Sequence, residues 1–209
     1  MKVPAPSLAP ILRSDTQGRI LARLLTDPGR AYNLTELVEW AGSSMPTVQR
    51  EVGRAEEAGL VTTEKVGPTR LVRANPEHPL FEATRQVILG TYGPPAVVAR
   101  EFEGIDADAV LLFGSWAARY LGQPGRAPND IDVLVIGLPD RDAVDDAAER
   151  VERAIGMPVQ ATLRSRSQWT AERDSFVREV KSRPLVVVLA DESVVEPLGL
   201  AGIVRQVPT

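Results

Sequence analysis

Leu111-Leu112-Phe113-Gly114-Ser115, followed fifteen residues after the serine by Asp130-Ile131-Asp132-Val133-Leu134-Val135, is the stretch on which the reading of this chain turns. An apolar run of strand length ends in a glycine–serine turn, and the next apolar run opens with two carboxylates. Side chains at i and i+2 of a strand point to one face, so Asp130 and Asp132 aim together. The turn offers backbone N–H groups, and Ser115 adds a hydroxyl, a combination that suits a phosphate. Paired hard oxygen ligands beside such a cradle are what a nucleoside triphosphate carrying Mg²⁺ or Mn²⁺ requires. A simple cap on the turn after Gly125-Arg126-Ala127-Pro128 would account for Asn129 and Asp130 without a ligand. It does not account for Asp132, because a second charge two residues into an apolar strand is costly unless something binds it.

The pattern of strand, Gly-Ser, helix and Asp-x-Asp strand resembles the DNA polymerase β-type nucleotidyltransferase superfamily over roughly residues 105–165. It is most similar to the minimal members, among them the antitoxin partners of HEPN toxins. The resemblance implies that Gly114 and Ser115 bind the triphosphate and that Asp130 and Asp132 are the catalytic, metal-holding pair. Two positions depart from it. Minimal members often carry Arg three residues after the serine; here that place is Ala118, and Arg119 follows about 100° further round the helix as the phosphate-binding candidate. Active members also place a third carboxylate on the following strand. The matching run, Val159-Gln160-Ala161-Thr162-Leu163, has none, and no Asp or Glu occurs from Gly156 to Ala171. Gln160 or Thr162 is left as a neutral, weaker ligand. Glu172 or Asp174 is a general base only if it swings in; a solvated helix surface is the plainer reading of both. The expectation leans toward nucleotidyl transfer, with a degenerate, nucleotide-sensing domain as its rival.

Around these two runs the second half of the chain alternates. Strands are predicted at Ala109–Phe113, Ile131–Ile136, Pro158–Leu163 and Leu185–Ala190. Helices are predicted at Trp116–Leu121, Asp140–Ile155 and Ser167–Lys181. The alternation reads as a small mixed-sheet domain over residues 105–209. Trp116 either stacks on a base or packs its helix onto the sheet.

The first half has another order. A helix is predicted from about Ile11 to Leu25, with Ile20, Leu21, Leu24 and Leu25 on one stripe, stopped by Asp27-Pro28-Gly29. Asn33-Leu34-Thr35-Glu36 is a capping-box variant opening a short helix that buries Leu37, Val38 and Ala41 and ends at Gly42. A third helix runs from Pro46 to Ala58, with Gly59 just beyond its end. Leu60–Val66 and Thr69–Ala74, around Gly67-Pro68, read as a hairpin. On the third helix Val48, Val52 and Ala55 share a buried face, while Thr47, Arg50 and Arg54 share an outward one.

That order is the order of a winged helix-turn-helix. The runs Thr47-Val48-Gln49-Arg50-Glu51 and Glu57-Ala58-Gly59-Leu60-Val61 resemble winged helices of the ArsR/MarR repressor type, across roughly residues 11–75. The resemblance implies double-stranded DNA as partner and a homodimer. The candidate DNA-binding residues are Ser44, Thr47, Gln49, Arg50 and Arg54 on and before the helix, and Lys65, Arg70 and Arg73 on the hairpin. Hydroxyls and guanidiniums suit phosphates and guanine edges. Glu51, Glu56, Glu57 and Glu64 dilute the positive field, leaving residues 43–75 at only +1. A scaffold used only for protein contacts is the competing reading.

Bulk properties fit this two-part, α+β division: residues 1–78 as the DNA-binding domain, 79–104 as linking helices, and 105–209 as the nucleotidyltransferase-like domain. Residues 1–80 hold 10 Lys+Arg against 9 Asp+Glu, and residues 81–209 hold 14 against 19. With no Cys and one His, disulfides, thiolate metal sensing and multi-histidine zinc sites are excluded. His78, in the break Pro76-Glu77-His78-Pro79, is expected to be solvent-exposed, and Trp40 to be core or an inter-helix contact. No apolar run reaches membrane-spanning length, and Met1 to Pro10 has no signal-peptide core, so the expected setting is the cytoplasm, with no membrane partner. Three functions compete: a regulator that transfers nucleotides, a regulator whose second domain only senses or scaffolds, and an antitoxin-like repressor paired with a toxin protein.

Overall fold

A computed structural model describes residues 12–125, 128–171 and 173–205. It is a mixed α/β structure with two small sheets. The chain divides into two compact units, Met1–Gly93 and Pro94–Thr209, so the division falls inside the stretch read as linking helices.

The first unit opens with α1 (Asp15–Thr26), then β1 (Tyr32–Asn33), α2 (Leu34–Ala41), α3 (Met45–Glu57), β2 (Val61–Val66), β3 (Thr69–Ala74) and α4 (Phe81–Tyr92). Helix α1 starts later than the apolar pattern suggests because the Ser14 side chain caps it, accepting the Gln17 N–H at 3.2 Å; Ile11 lies outside the described residues. The capping box at α2 forms as read. Asn33 Oδ1 accepts the Glu36 N–H at 2.9 Å, and Glu36 Oε2 accepts the Asn33 N–H at 2.7 Å. Two otherwise orphan amides are satisfied, an arrangement worth about 1 kcal/mol. Gly42, left-handed at φ 59°, ends α2. Leu37 and Ala41 are buried as expected, whereas Val38 is only half-buried.

The strands order as β1-β3-β2, all antiparallel. The two-residue strand β1 was not predicted; pairing with Val72 and Leu71 of the hairpin creates it. The core comprises Ile20, Leu24 and Leu25 of α1, Leu37, Val48, Val52 and Val72, with Ile88 and Leu89 of α4. Trp40 makes the inter-helix contact, its Nε1–H donating to the Arg19 carbonyl at 3.3 Å. His78 departs from the expectation of exposure. It is half-buried, its Nδ1 accepts the Leu80 N–H at 3.1 Å, and its ring lies beside Gly59, where the absent Cβ leaves room.

The second unit comprises α5 (Pro94–Phe102), β4 (Ala109–Phe113), α6 (Gly114–Tyr120), β5 (Ile131–Ile136), α7 (Arg141–Ile155), β6 (Val159–Arg164), α8 (Arg166–Thr170), α9 (Ser175–Lys181), β7 (Val186–Ala190), α10 (Glu192–Val195) and β8 (Val204–Arg205). Its sheet is mixed, ordered β6-β5-β4-β7-β8, with β5/β6 and β7/β8 parallel and the two pairs at β4 antiparallel. One face, carrying Ala109, Leu111, Leu134 and Ile136, packs on Trp169 of α8 and Val177 and Val180 of α9. The single helix expected over Ser167–Lys181 is two. Ser165 and Asp174 each cap a separate start, and independent caps divide the run. Asp174 is thus a cap whose carboxyl lies below the usual range, held there first by the Phe176 N–H and then by Arg164, which donates at 2.8 Å.

Candidate functional site

The strand–turn–strand that positions the carboxylates forms where the sequence places it. The apolar run Ala109–Phe113 makes β4, the central strand of the sheet, and the chain turns at Gly114 with φ 72°, a backbone region that L side chains avoid. Phe113 pairs across the antiparallel ladder with Asp132, and Asp132 pairs in turn with Gln160 on parallel β6. Cross-strand partners share a face, so Phe113, Asp132 and Gln160 stand side by side on the face of Leu111 and Leu134. Ser115, exposed, follows Gly114 in the first turn of α6, which has no side-chain cap.

Close approach dictates the glycine. A Cβ at position 114 would stand 2.0 Å from Asp132 Oδ2, so the carboxylate occupies the space a side chain would need. Burial raises the Asp132 carboxyl above its ordinary range, and the neighbouring charge of Asp130 raises it further. Asp130 is therefore near enough to be felt. Gln160 completes the group, its amide donating to Asp130 Oδ2 at 3.0 Å. Gln160 is thus a neutral donor that engages one of the two acids. Among the described residues no three His, Cys, Asp or Glu side chains converge as a metal site. The pair still fits a hard divalent ion of the kind that takes one or two protein carboxylates and draws its remaining ligands from phosphate and water. It does not supply the ligand count of a two-metal centre.

Other sequence candidates lie apart from this group. Arg119 donates from Nη1 to the Gln123 carbonyl at 2.9 Å, at the far end of α6. Thr162 is opposite Leu134, one pleat beyond Gln160. Trp116 is 2% exposed and stacked on Tyr120 at 5.0 Å, so it packs its helix and offers no face to a base. Glu172 lies outside the described residues. An open groove of about 380 Å³ runs between α7 and β6, lined by Asp145, Glu149 and Glu152 among others. Glu152 accepts the Val159 N–H there at 3.1 Å.

In the first unit, α3 keeps the buried face that its spacing predicts, with one addition, and Arg54 departs from the expected outward face by turning to Glu51. Val48, Val52 and Ala55 are buried, and Glu51 is buried with them at 5% exposure. Its Oε1 accepts from Arg54 Nη1 at 2.6 Å and lies 3.8 Å from Arg50 Nε; its Oε2 is buried with no hydrogen-bond partner. Arg50 and Gln49 are exposed, Thr47 is half-buried, and the Ser44 and Thr47 hydroxyls share a hydrogen bond at 3.0 Å. The hairpin cations divide by the pleat. Lys65 and Arg70 are cross-strand partners on the face whose Thr63 and Arg70 reach α3, where Glu56 takes the Arg70 guanidinium at 2.6 Å and the Thr63 hydroxyl. Arg73, opposite Thr62, is exposed on the other face. Glu51 and Glu56 were legible only as diluting charge. The missed signal was spacing, since position 51 falls on the apolar stripe three after Val48 and four before Ala55.

No protein-family model matches this chain, and no curated protein matches it.

Proposed function

We propose that the chain is a DNA-binding regulator whose second unit is a nucleotidyltransferase-type domain, one that binds a nucleoside triphosphate with Mg²⁺ or Mn²⁺ and lacks the ligand set for transfer. The carrying observation is the Asp132 carboxylate lodged against Gly114, beside Asp130. An anion pushed into an apolar strand, next to a second anion, is unfavourable by itself. A divalent cation removes that penalty. When bound, the metal would supply charge neutralisation of the triphosphate. Asp130 and Asp132 would hold it, and the Gly114-Ser115 amides and hydroxyl would receive a phosphate.

Gln160 argues for binding over transfer. Phosphoryl-type chemistry rests on positioning and on neutralising charge that develops between nucleophile and leaving group, and two metals do this with three carboxylates. Here the third place holds an amide donor bound to Asp130. The domain then reports nucleotide occupancy to the chain that carries it. The test is equilibrium titration of ATP, CTP, GTP and UTP with Mg²⁺, alongside incorporation of labelled nucleotide. Binding that Asp132→Asn abolishes, without labelling, supports this reading; metal-dependent labelling replaces it with the transferase one. Absence of binding for all four nucleotides rejects both.

The DNA reading of the first unit is supported by its element order, three helices followed by a hairpin, and by the exposed Gln49 and Arg50 on α3 with Lys65 and Arg73 on the hairpin. A pair of units is needed for tight binding, because so few cations per chain meet phosphate. Arg50→Ala is expected to weaken duplex binding markedly in a fluorescence titration; unchanged affinity contradicts the assignment.

A further inference from the structure

We infer that Glu51 withholds Arg54 from nucleic acid, so that the α3 surface presents Arg50 as its working arginine. The inference rests on the DNA reading of this unit and assigns roles within it.

Glu51 sits among Val48, Val52 and Ala55, 5% exposed, and one of its oxygens meets no donor. A carboxylate in such a place is tolerated only when a cation compensates it, and removing the partner leaves an uncompensated buried charge. Its close partner is Arg54, with Nη1 at 2.6 Å and a side chain only 33% exposed. Arg50 is a looser neighbour, with Nε 3.8 Å away and its side chain 55% exposed. Turning Arg54 outward to a phosphate would exchange a desolvated ion pair for a contact screened by water and salt, which is the weaker of the two. Arg54 therefore stays, and Arg50 reaches out. Glu56, 40% exposed, holds Arg70 of the hairpin at 2.6 Å in a more open pair. Glu51 and Glu56 thus pair closely with Arg54 and Arg70, and Arg50, Lys65 and Arg73 are the exposed cations of this surface.

The test uses the full chain, a random-sequence duplex and a salt series read by fluorescence anisotropy. Glu51→Gln is isosteric and removes the charge that retains Arg54. It is expected to tighten binding about threefold or more and to steepen the dependence of log affinity on log salt by about 0.9 per chain. The neutral pair Glu51→Gln with Arg54→Gln is expected to bind within about twofold of the parent with an unchanged salt slope, because neither charge of the pair meets phosphate. Arg50→Gln is expected to lose both affinity and about 0.9 of slope. A double variant that loses affinity and slope as Arg50→Gln does makes Arg54 a DNA ligand and overturns the inference. So does a Glu51→Gln chain whose slope does not move, which is what a purely structural Glu51 gives. If Glu51→Gln fails to fold, the comparison of the double variant with Arg50→Gln still decides. A parent chain that binds no duplex at about 50 mM salt rejects the DNA reading itself, and this inference with it.

Discussion

The Asp132 carboxylate and the Gly114 α-carbon are in direct contact: the oxygen stands where the first atom of a side chain would be built, 2.0 Å from an ideal Cβ. Two constraints therefore meet at one residue, since Gly114 also holds φ 72°. Gly114→Ala is expected to lose stability by more than the roughly 1–2 kcal/mol that a left-handed conformation alone costs an L residue, because the carboxylate must also move. Urea denaturation measures the first effect. A Mn²⁺ titration measures the second, in which displacement of Asp132 abolishes metal binding.

Charge at Asp132 makes a second prediction, whose sign follows from the direction of its shift. Burial and Asp130 hold the folded carboxyl above its ordinary range. Its favourable contribution to stability is therefore complete below the unfolded value of about 3.9 and is lost as pH rises through the raised folded value. Asp132→Asn, neutral at every pH, is expected to melt higher than the parent at pH 7 in metal-free buffer. The difference is expected to close as the pH falls below the carboxylate range. Adding Mg²⁺ is expected to raise the melting temperature of the parent and not of the variant. A parent that melts higher than the variant at pH 7 without metal contradicts the stated environment.

Gln160 supplies a third. Its amide donates to Asp130 Oδ2 at 3.0 Å from the position opposite Asp132. Gln160→Glu replaces a donor by a third acid, so the metal-free protein is expected to lose stability at neutral pH through like-charge repulsion. Its affinity for Mn²⁺ is expected to rise about tenfold as the ligand charge increases. Calorimetric titration reads the change, and an unaltered affinity places the ion elsewhere.

A fourth concerns the first unit. A Cβ at Gly18, in the first turn of α1, would meet the Tyr92 ring of α4 at 2.3 Å. Helix propensity favours alanine over glycine there by about 1 kcal/mol, yet crowding costs about 1–3 kcal/mol. Gly18→Ala is expected to destabilise the unit despite the better helix former, a result that thermal melting distinguishes from the opposite sign.

Elements carrying their own signals were legible in the sequence. Asn33 and Glu36 announce a helix start because both hydrogen bonds are local, and Gly59 announces a stop because its φ of 74° is a backbone preference. The Asp130-x-Asp132 pair beside Gly114 was legible because a charge within an apolar run has few innocuous explanations. What escaped depends on partners distant in sequence. Strand β1 exists through Val72 and Leu71, about forty residues away. The division of α8 from α9 turns on caps that a helical period does not reveal. Arg54 reads as outward by spacing, yet Glu51, three residues back, draws it in, since periodicity gives the direction of a Cβ and not the end of a long side chain.

The proposed site for a metal–nucleotide lies between Asp130, Asp132 and the Gly114 turn. Paramagnetic broadening of backbone amide signals by Mn²⁺ with a nucleoside triphosphate tests it most directly. The account predicts that Phe113, Gly114, Ser115, Ile131, Asp132 and Gln160 broaden first, and that Asp132→Asn abolishes the effect. Broadening centred instead on Asp145, Glu149 and Glu152, in the groove between α7 and β6, would contradict it.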